Sequence, residues 1–272
     1  MAGVMGWPVA HSRSPAIHNH WIRKHHLNGA YGLFPVPPNH LETAIRGIQA
    51  LGLAGCNLTI PHKVEAMAYM DWVDPLAQRM GAINTIVVQA DGSLHGFNND
   101  GFGFLQSLRD AQPNWRADLG PIVIVGAGGA ARAIVVSLID AGATEIRLLN
   151  RTHHKAQALA QEFGTPVTSF DWSERHEALA GAALLVNTTN QGMHGEAPLD
   201  LALDQLPTNA LVSDAIYIPL ETPLLQAARL RGNTTVNGLG MLLHQASPAF
   251  QAWFGVTPEV TPELRELIIA TF

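Results

Sequence analysis

A single cysteine, Cys56, in a chain of 272 residues excludes an intramolecular disulfide and fits a reducing compartment. Charge is scarce as well: only 14% of residues are Asp, Glu, Lys or Arg, and the formal net charge is −6. There is no run of Lys or Arg, so the basic footprint that nucleic-acid binding requires is missing. A chain of this balance holds an anionic small molecule through local groups, not through its overall field. No apolar stretch approaches the roughly 18 residues of a membrane helix. Met1 to Ala10 carry neither a charged segment nor a long apolar run, so they do not read as a signal peptide, and the expected compartment is the cytoplasm. Thirteen histidines invite a metal reading. However, His25–His26 and His153–His154 are adjacent pairs that point apart on a helix, and no His-Glu-x-x-His or Cys/His cluster exists. No metal site is expected.

What is present is a length suited to two domains and an alternation of short apolar strands with amphipathic helices. Strands are expected at Gly3–Met5, Ala30–Val36, Ala54–Leu58, Asn84–Val88 and Ser93–Phe97, the last two joined through Asp91-Gly92 as a hairpin. Ser14-Pro15 reads as an N-cap with proline at the first helical position. Leu41, Ile45, Ile48 and Leu51 follow a helical period. Pro121–Val125 is a continuous apolar run, as in a parallel strand covered on both faces. Further strands are expected at Glu145–Leu149, Ala183–Val186 and Ala210–Val212, with helices between them. This predicts a doubly wound α/β domain over 102–237. The first domain, 1–101, is also α/β. It is expected to be completed by C-terminal helices within 238–272, at Leu239–Phe254 and Pro262–Ala270.

The run Gly126-Ala127-Gly128-Gly129-Ala130-Ala131 follows an apolar strand and opens a helix, the context in which a G-x-G-x-x-G/A loop binds a dinucleotide. Gly126 permits the tight turn, Gly128 lets the backbone approach a pyrophosphate, and Ala131 keeps helix and strand close. NAD-binding domains place an acid about 20 residues on, to hold the ribose 2′-hydroxyl. Here the corresponding stretch is Asn150-Arg151-Thr152, with Lys155 one turn later. A guanidinium, a hydroxyl and an ammonium suit a 2′-phosphate, so NADP(H) is the expected cofactor.

The motifs together resemble those of the shikimate dehydrogenases. Gly6–Asn19 (GWPVAHSRSPAIHN) is similar to the family's opening signature, and Asn57–Lys63 (NLTIPHK) to its catalytic-lysine motif. Gly81–Thr85, Asn98–Gly103, Asn150–Thr152, Asn237–Leu242 and His244–Ala246 match further segments in the family's order. The resemblance covers essentially the whole chain. It implies a Rossmann-type NADP domain beside a substrate domain, and NADPH-dependent reduction of 3-dehydroshikimate to shikimate in aromatic amino-acid biosynthesis. It also implies roles for single residues. Lys63 and Asp100 are catalytic, and Ser12 and Ser14 hold the substrate carboxylate. Asn57, Thr59, Asn84, Tyr217 and Gln245 are further substrate contacts, and Gly238 and Met241 lie beside the nicotinamide. The partners expected are thus a small-molecule substrate, no nucleic acid and no membrane, for a monomer or homodimer.

Taken singly, each of these residues has a plainer role: Ser14 as a helix cap, Thr59 at a strand end, Lys63 as a solvated surface lysine, Cys56 as a small core residue. His11 and His18 read as structural. An ordinary lysine ammonium keeps its proton at neutral pH, so Lys63 is easier to understand as an acid in reduction than as a base in oxidation. One departure from the family pattern stands out: Asn99 occupies a position that is usually Thr. Three alternatives remain open at this level: a quinate/shikimate dehydrogenase using NAD, a non-catalytic ligand sensor, and a folate-linked dehydrogenase with the same two-domain plan. The 2′-phosphate argument makes a kinetic prediction. Arg151→Ala raises KM for NADPH far more than for NADH; equal effects on both would remove the basis for the cofactor assignment.

Overall fold

The strand pattern resolves, in a computed structural model that describes residues 1–272, into two six-stranded sheets. The sheets belong to two units of the chain, Met1–Asp100 with Leu243–Phe272, and Gly101–Leu242.

The first unit opens with β1 (Ala2–Gly6), α1 (Ser14–Lys24), β2 (Tyr31–Pro35), α2 (Leu41–Ala50) and β3 (Gly55–Leu58). It continues with β4 (Trp72–Val73), α3 (Pro75–Met80), β5 (Thr85–Val88) and β6 (Leu94–Phe97). Their sheet order is β2-β1-β3-β5-β6-β4. β1 runs parallel to β2 and β3, whereas β5 is antiparallel to both β3 and β6. Thr85, at the start of β5, pairs with Asn57 of β3 on one side and Phe97 of β6 on the other. Three neighbouring interior strands therefore meet at one end of the sheet.

The helices pack as their periodicity requires. Leu41, Ile45 and Ile48 of α2 are buried against Met5, Cys56, Leu58, Ile83 and Ile86. The cap of α1 differs from expectation. Ser14 is already helical, with Arg13 at the cap position. Ser12 closes a turn on Val9, and its hydroxyl accepts the Ser14 N–H at 3.3 Å, taking the place expected of Ser14 itself.

In the second unit α4 (Asp100–Ala111) leads to β7 (Ile122–Val125), α5 (Gly129–Asp140), β8 (Ile146–Leu149), α6 (His153–Phe163) and β9 (Val167–Phe170). Then come β10 (Leu184–Asn187), β11 (Leu211–Asp214), α7 (Pro223–Leu230), β12 (Thr234–Val236) and α8 (Gly238–His244). All strands are parallel, in the order β12-β11-β10-β7-β8-β9. This is the doubly wound Rossmann arrangement, with its switch point between β7 and β10. The sequence IVIV of β7 explains its central place. Ile122 and Ile124 pack with Phe104, Leu108, Ile134 and Leu138 on one face. Val123 and Val125 pack with Leu185, Val212, Leu225 and Ala228 on the other. Each such buried side chain contributes about 1.5–3 kcal/mol, so a polar residue anywhere in β7 would be opposed from both layers.

The C-terminal helical region is not continuous over Leu239–Phe254. It breaks at Gln245 into α8 and α9 (Ala246–Phe254), followed by α10 (Pro262–Ile269). α9 joins the first unit through Trp253, whose indole N–H donates to the Ile86 carbonyl at 2.9 Å. The Trp21 indole N–H of α1 donates to the Glu259 carbonyl ahead of α10 at 3.1 Å. No helix is long and apolar enough to cross a membrane.

Between α1, β2 and α9 lies an aromatic cluster. The fully buried His18 ring stacks on Tyr31 at 4.1 Å between centroids and stands near Trp21, Phe250 and Trp253. Burial lowers its pKa to about 3, against a smaller opposing pull from the Asn57 side chain. In the unfolded chain His18 titrates near 6.5. The unfolded state thus binds the extra proton between these values, so stability rises with pH across the window and is lost as pH falls through it. In His18→Phe this contribution disappears. The melting temperature of the variant is expected to fall less steeply from pH 6.5 downward than that of the wild type; parallel curves would assign the loss to other groups.

Candidate active site and dinucleotide loop

In the first unit the site grows from strand ends. Beyond β3 the chain turns at Thr59, whose carbonyl accepts the His62 N–H, and this delivers Lys63. The Lys63 carbonyl accepts the Ile83 N–H at 2.8 Å, which pins the lysine backbone beside the entry to β5. Asp100 follows β6, and the Asn98 side chain shapes its approach by accepting the Asp100 N–H at 3.0 Å and donating to the Ala82 carbonyl at 2.9 Å. The result is a close ion pair in which Lys63 Nζ donates to Asp100 Oδ2 at 2.7 Å. The two side chains are only 30% and 14% exposed, so the pair is far less screened than a surface one.

The other Asp100 oxygen, Oδ1, accepts from Asn84 Nδ2 at 2.8 Å. The second Asn84 hydrogen points to Gln245 Oε1 at 3.4 Å. Asn84 Oδ1 accepts from the Thr85 hydroxyl at 2.8 Å and from the Asn99 N–H at 3.0 Å. Thr85 Oγ1 in turn accepts from Asn57 Nδ2 at 3.1 Å and Asn99 Nδ2 at 3.0 Å. Asn57 also donates to the Asn84 carbonyl at 3.0 Å, and its Oδ1 accepts from the Tyr31 hydroxyl at 2.6 Å.

This network joins Lys63, Asp100, Asn84, Asn57 and Gln245 among the residues expected at the site. It also includes Tyr31 and Thr85, which sequence reasoning left out. Thr85 lies in the Gly81–Thr85 motif, which was its only signal; Tyr31 had none beyond its place in a strand. Asn99 Nδ2 reaches Thr85, so the departure from the family pattern is absorbed by a neighbouring hydroxyl. An amide has two hydrogens and two lone pairs. Asn84 has all four engaged, so it meets a ligand directly only by releasing Gln245. Ser14 is buried and faces the Tyr31 phenol, whose proton is held well above the ordinary range by burial. Ser12 and Thr59 are half-buried. Cys56 is fully buried, with its thiol against the Gly3 carbonyl, and burial pushes it up too, as a core residue requires.

In the second unit β7 runs into the glycine loop. Gly126 has φ +118°, and a Cβ there would collide with the Thr188 hydroxyl beyond β10. A Cβ on Gly128 or Gly129 would meet nothing within 4 Å. The first glycine is thus required by the fold, whereas the next two leave open space above the helix N-terminus. Ala131, in the first turn of α5, is fully buried. At the end of β8, Asn150 Nδ2 donates to the Thr152 carbonyl at 2.8 Å, and Arg151, Thr152 and Lys155 are exposed around that turn. No acid lies between Leu149 and Ala156.

Tyr217, Gly238 and Met241 also belong to this unit. The buried Asp214 organises the loop that carries Tyr217. It accepts from the Thr222 hydroxyl at 2.7 Å, the Ile216 N–H at 3.1 Å and Asn187 Nδ2 at 3.1 Å, while burial still pushes its carboxyl upward. The Gly238 N–H donates to the Ile216 carbonyl at 2.8 Å, and a Cβ on Gly238 would strike the Ala215 carbonyl. Met241 packs against the sheet core.

Residues 4–86 match the family model described as the shikimate dehydrogenase substrate binding domain, and residues 114–194 match that described as shikimate/quinate 5-dehydrogenase. The NADP(+) shikimate dehydrogenase of Paramagnetospirillum magneticum is 53% identical over 270 residues, covering 99% of this chain and 98% of the relative. The chain belongs to the shikimate dehydrogenase family. The Rhodospirillum rubrum member is 54% identical over 273 residues, covering 99% and 96%. The solved structure of the Thermus thermophilus shikimate 5-dehydrogenase, in complex with NADP(H) and shikimate, is 36% identical with a TM-score of 0.88 over 100% of this chain and 99% of that one. A quinate dehydrogenase from Corynebacterium glutamicum, in complex with NAD, is 30% identical with a TM-score of 0.91, covering 99% and 98%.

The two kinds of glycine in the loop should behave differently when enlarged. Gly126→Ala is expected to cost about 1–3 kcal/mol through overpacking and to lower the melting temperature. Gly128→Ala should melt with the wild type yet bind a dinucleotide more weakly, as read by fluorescence titration with NADPH. A Gly128→Ala protein with unimpaired binding would show that the backbone is not approached there.

Proposed function

We propose that this protein catalyses the reversible NADPH-dependent reduction of 3-dehydroshikimate to shikimate. The unit Met1–Asp100 with Leu243–Phe272 binds the substrate, and the unit Gly101–Leu242 binds NADP(H). The observation that carries the reading is the Lys63–Asp100 pair at 2.7 Å, set among neutral hydrogen-bonding side chains. A ring bearing hydroxyls and one carboxylate needs such surroundings.

The residues of the second unit fit the dinucleotide. Open space above Gly128 admits a pyrophosphate to the helix N-terminus. The exposed Arg151, Thr152 and Lys155, with Asn150 shaping the turn, offer donors to a 2′-phosphate where an NAD-type acid is lacking. When bound, NADPH supplies the hydride.

The chain's own residues supply the rest. Ser12 and Ser14, at the start of α1, receive the carboxylate where the helix dipole favours negative charge. Lys63 keeps two N–H bonds beyond the one given to Asp100. One of them donates to the substrate carbonyl oxygen and transfers its proton there as the carbonyl carbon is reduced, so that C=O becomes CH–OH. Asp100 has lone pairs left on both oxygens, accepts from a neighbouring substrate hydroxyl and holds the lysine in place. In the reverse direction Lys63 receives the proton. Asn57, Thr59 and Gln245 complete the first unit's contacts to the ring, with Asn84 acting chiefly through Asp100.

The deciding assay mixes the protein with NADPH and 3-dehydroshikimate and follows the loss of absorbance of the reduced nicotinamide, with shikimate or quinate and NADP or NAD compared in reverse. Turnover of shikimate with NADP is expected to exceed the other three combinations. Lys63→Ala should lower kcat by about 10²-fold or more, as for a lost general acid. If that variant loses only substrate affinity, Lys63 binds rather than protonates, and absence of turnover by the wild type would leave a ligand-binding protein.

A further inference from the structure

The hydrogen bonds around Asp100 form a chain with one direction. The Tyr31 hydroxyl donates to Asn57, Asn57 to Thr85, Thr85 to Asn84, and Asn84 to Asp100. Tyr31 and Asp100 close the two ends. The Tyr31 phenol keeps its proton, because burial holds it well above its ordinary range. An ionised carboxylate can only accept. Between them, Asn57 and Asn84 could each be turned over, exchanging nitrogen and oxygen, if nothing forbade it.

Asn57 is pinned by the Asn84 carbonyl, which can only accept from its Nδ2, and Asn84 by two donors to its Oδ1, the Asn99 N–H and the Thr85 hydroxyl. A hydroxyl has one hydrogen, and here it is spent on Asn84 Oδ1 at 2.8 Å. Its lone pairs receive Asn57 Nδ2 at 3.1 Å and Asn99 Nδ2 at 3.0 Å. Thr85 itself is 1% exposed, so no water replaces these partners. Were Asn84 reversed, its oxygen would face the Asp100 carboxylate and its NH₂ would face the Thr85 hydrogen and the Asn99 N–H.

We infer that Thr85 is a positioning residue for the reaction: its hydroxyl, as the one side-chain donor to Asn84 Oδ1 beside the Asn99 N–H, holds the Asn84 amide in place, and through it the orientation of the Asp100 carboxylate beside Lys63. It touches neither the reacting atoms nor the cofactor. One consequence concerns substrate choice. Both Asn57 hydrogens are committed, to Thr85 and to the Asn84 carbonyl, and Asp100 only accepts. Of the three side chains Lys63, Asp100 and Asn57, only Lys63 therefore keeps hydrogens beyond those given within the network. A carbonyl oxygen, which cannot donate, is received at Lys63, and the ring positions read by Asp100 and Asn57 must carry hydroxyls.

The inference rests on the function proposed above, and two measurements keep the two apart. Thr85→Val keeps the shape and removes the hydroxyl; Thr85→Ser restores it. With shikimate and NADP, Thr85→Val is expected to lose about 10²-fold in kcat/KM, the scale of a misplaced catalytic group, with KM for NADP unchanged. Thr85→Ser should recover to within a few-fold of the wild type. Independently of turnover, the side-chain amide protons of Asn84 should exchange with solvent at least tenfold faster in Thr85→Val by NMR, and at the wild-type rate in Thr85→Ser. Unchanged Asn84 exchange in Thr85→Val overturns the inference even if the enzyme proves inactive on shikimate. So does a serine variant as impaired as the valine one, since the hydroxyl would then not be what matters. Wild-type turnover, by contrast, bears on the function alone.

Discussion

A carboxylate that can only accept hydrogen bonds is the constraint from which the first unit's site follows. Asp100 needs donors on both oxygens, and Lys63 and Asn84 supply them. Asn84 can do so only with its own oxygen satisfied behind it, which calls for Thr85 and the Asn99 backbone. Thr85 then presents lone pairs, which calls for the amide hydrogens of Asn57 and Asn99. Each step removes a freedom from the next side chain. Leaving one buried member unpaired costs about 1–3 kcal/mol, comparable with burying a whole aliphatic side chain. The network is thus as much a part of the fold as the apolar core beneath it. It holds the Lys63 ammonium against Asp100.

The second unit solves a different problem by different means. Its glycine loop is of the kind through which backbone N–H groups meet a phosphate, and its residues are notable for what they leave out. Gly126 is held at a positive φ against Thr188, and Gly128 stands clear of any neighbour. Specific charge enters later, at the end of β8, where exposed Arg151 and Lys155 stand in a turn without an acid. Asp214 shows how the loops beyond the sheet are held together. Its carboxylate ties the segments after β10 and β11 from beneath, at the cost of burial that raises its pKa.

Much of this was legible in the sequence, for physical reasons that also explain the rest. β7 and its glycine loop were plain because a strand buried on both faces must be continuously apolar and a tight turn must be glycine. β12 was missed because Thr234 and Thr235 at a sheet edge leave no apolar run to see. β4 is two residues long, and α3 makes barely a turn and a half. α7 followed a readable Thr222-Pro223 start that the strand-and-loop reading passed over. The break at Gln245 was invisible because apolar spacing continues across it. At the site, family motifs named Lys63, Asp100, Asn84 and Asn57. They did not show that Tyr31 and Thr85 bind them together, because the bonds of both to Asn57 arise from strand register between residues 26 or more positions apart.

The β5–β6 hairpin is the one antiparallel excursion through the middle of the first sheet, and it places Asn84 before its first strand and Asp100 after its second. Both of its feet stand in the site, while its turn, Gln89–Ser93, lies at the far ends of the strands, with Asp91 and Gly92 in the connecting segment. The only link from that turn to another helix is an exposed one, from Gln49 to the Gly92 carbonyl at 2.8 Å. Chain length at the tip is thereby decoupled from chemistry at the base. A lineage could lengthen this turn, or an engineer could splice a reporter into it, while the strand register that sets Asn84 against Asp100 carries over intact.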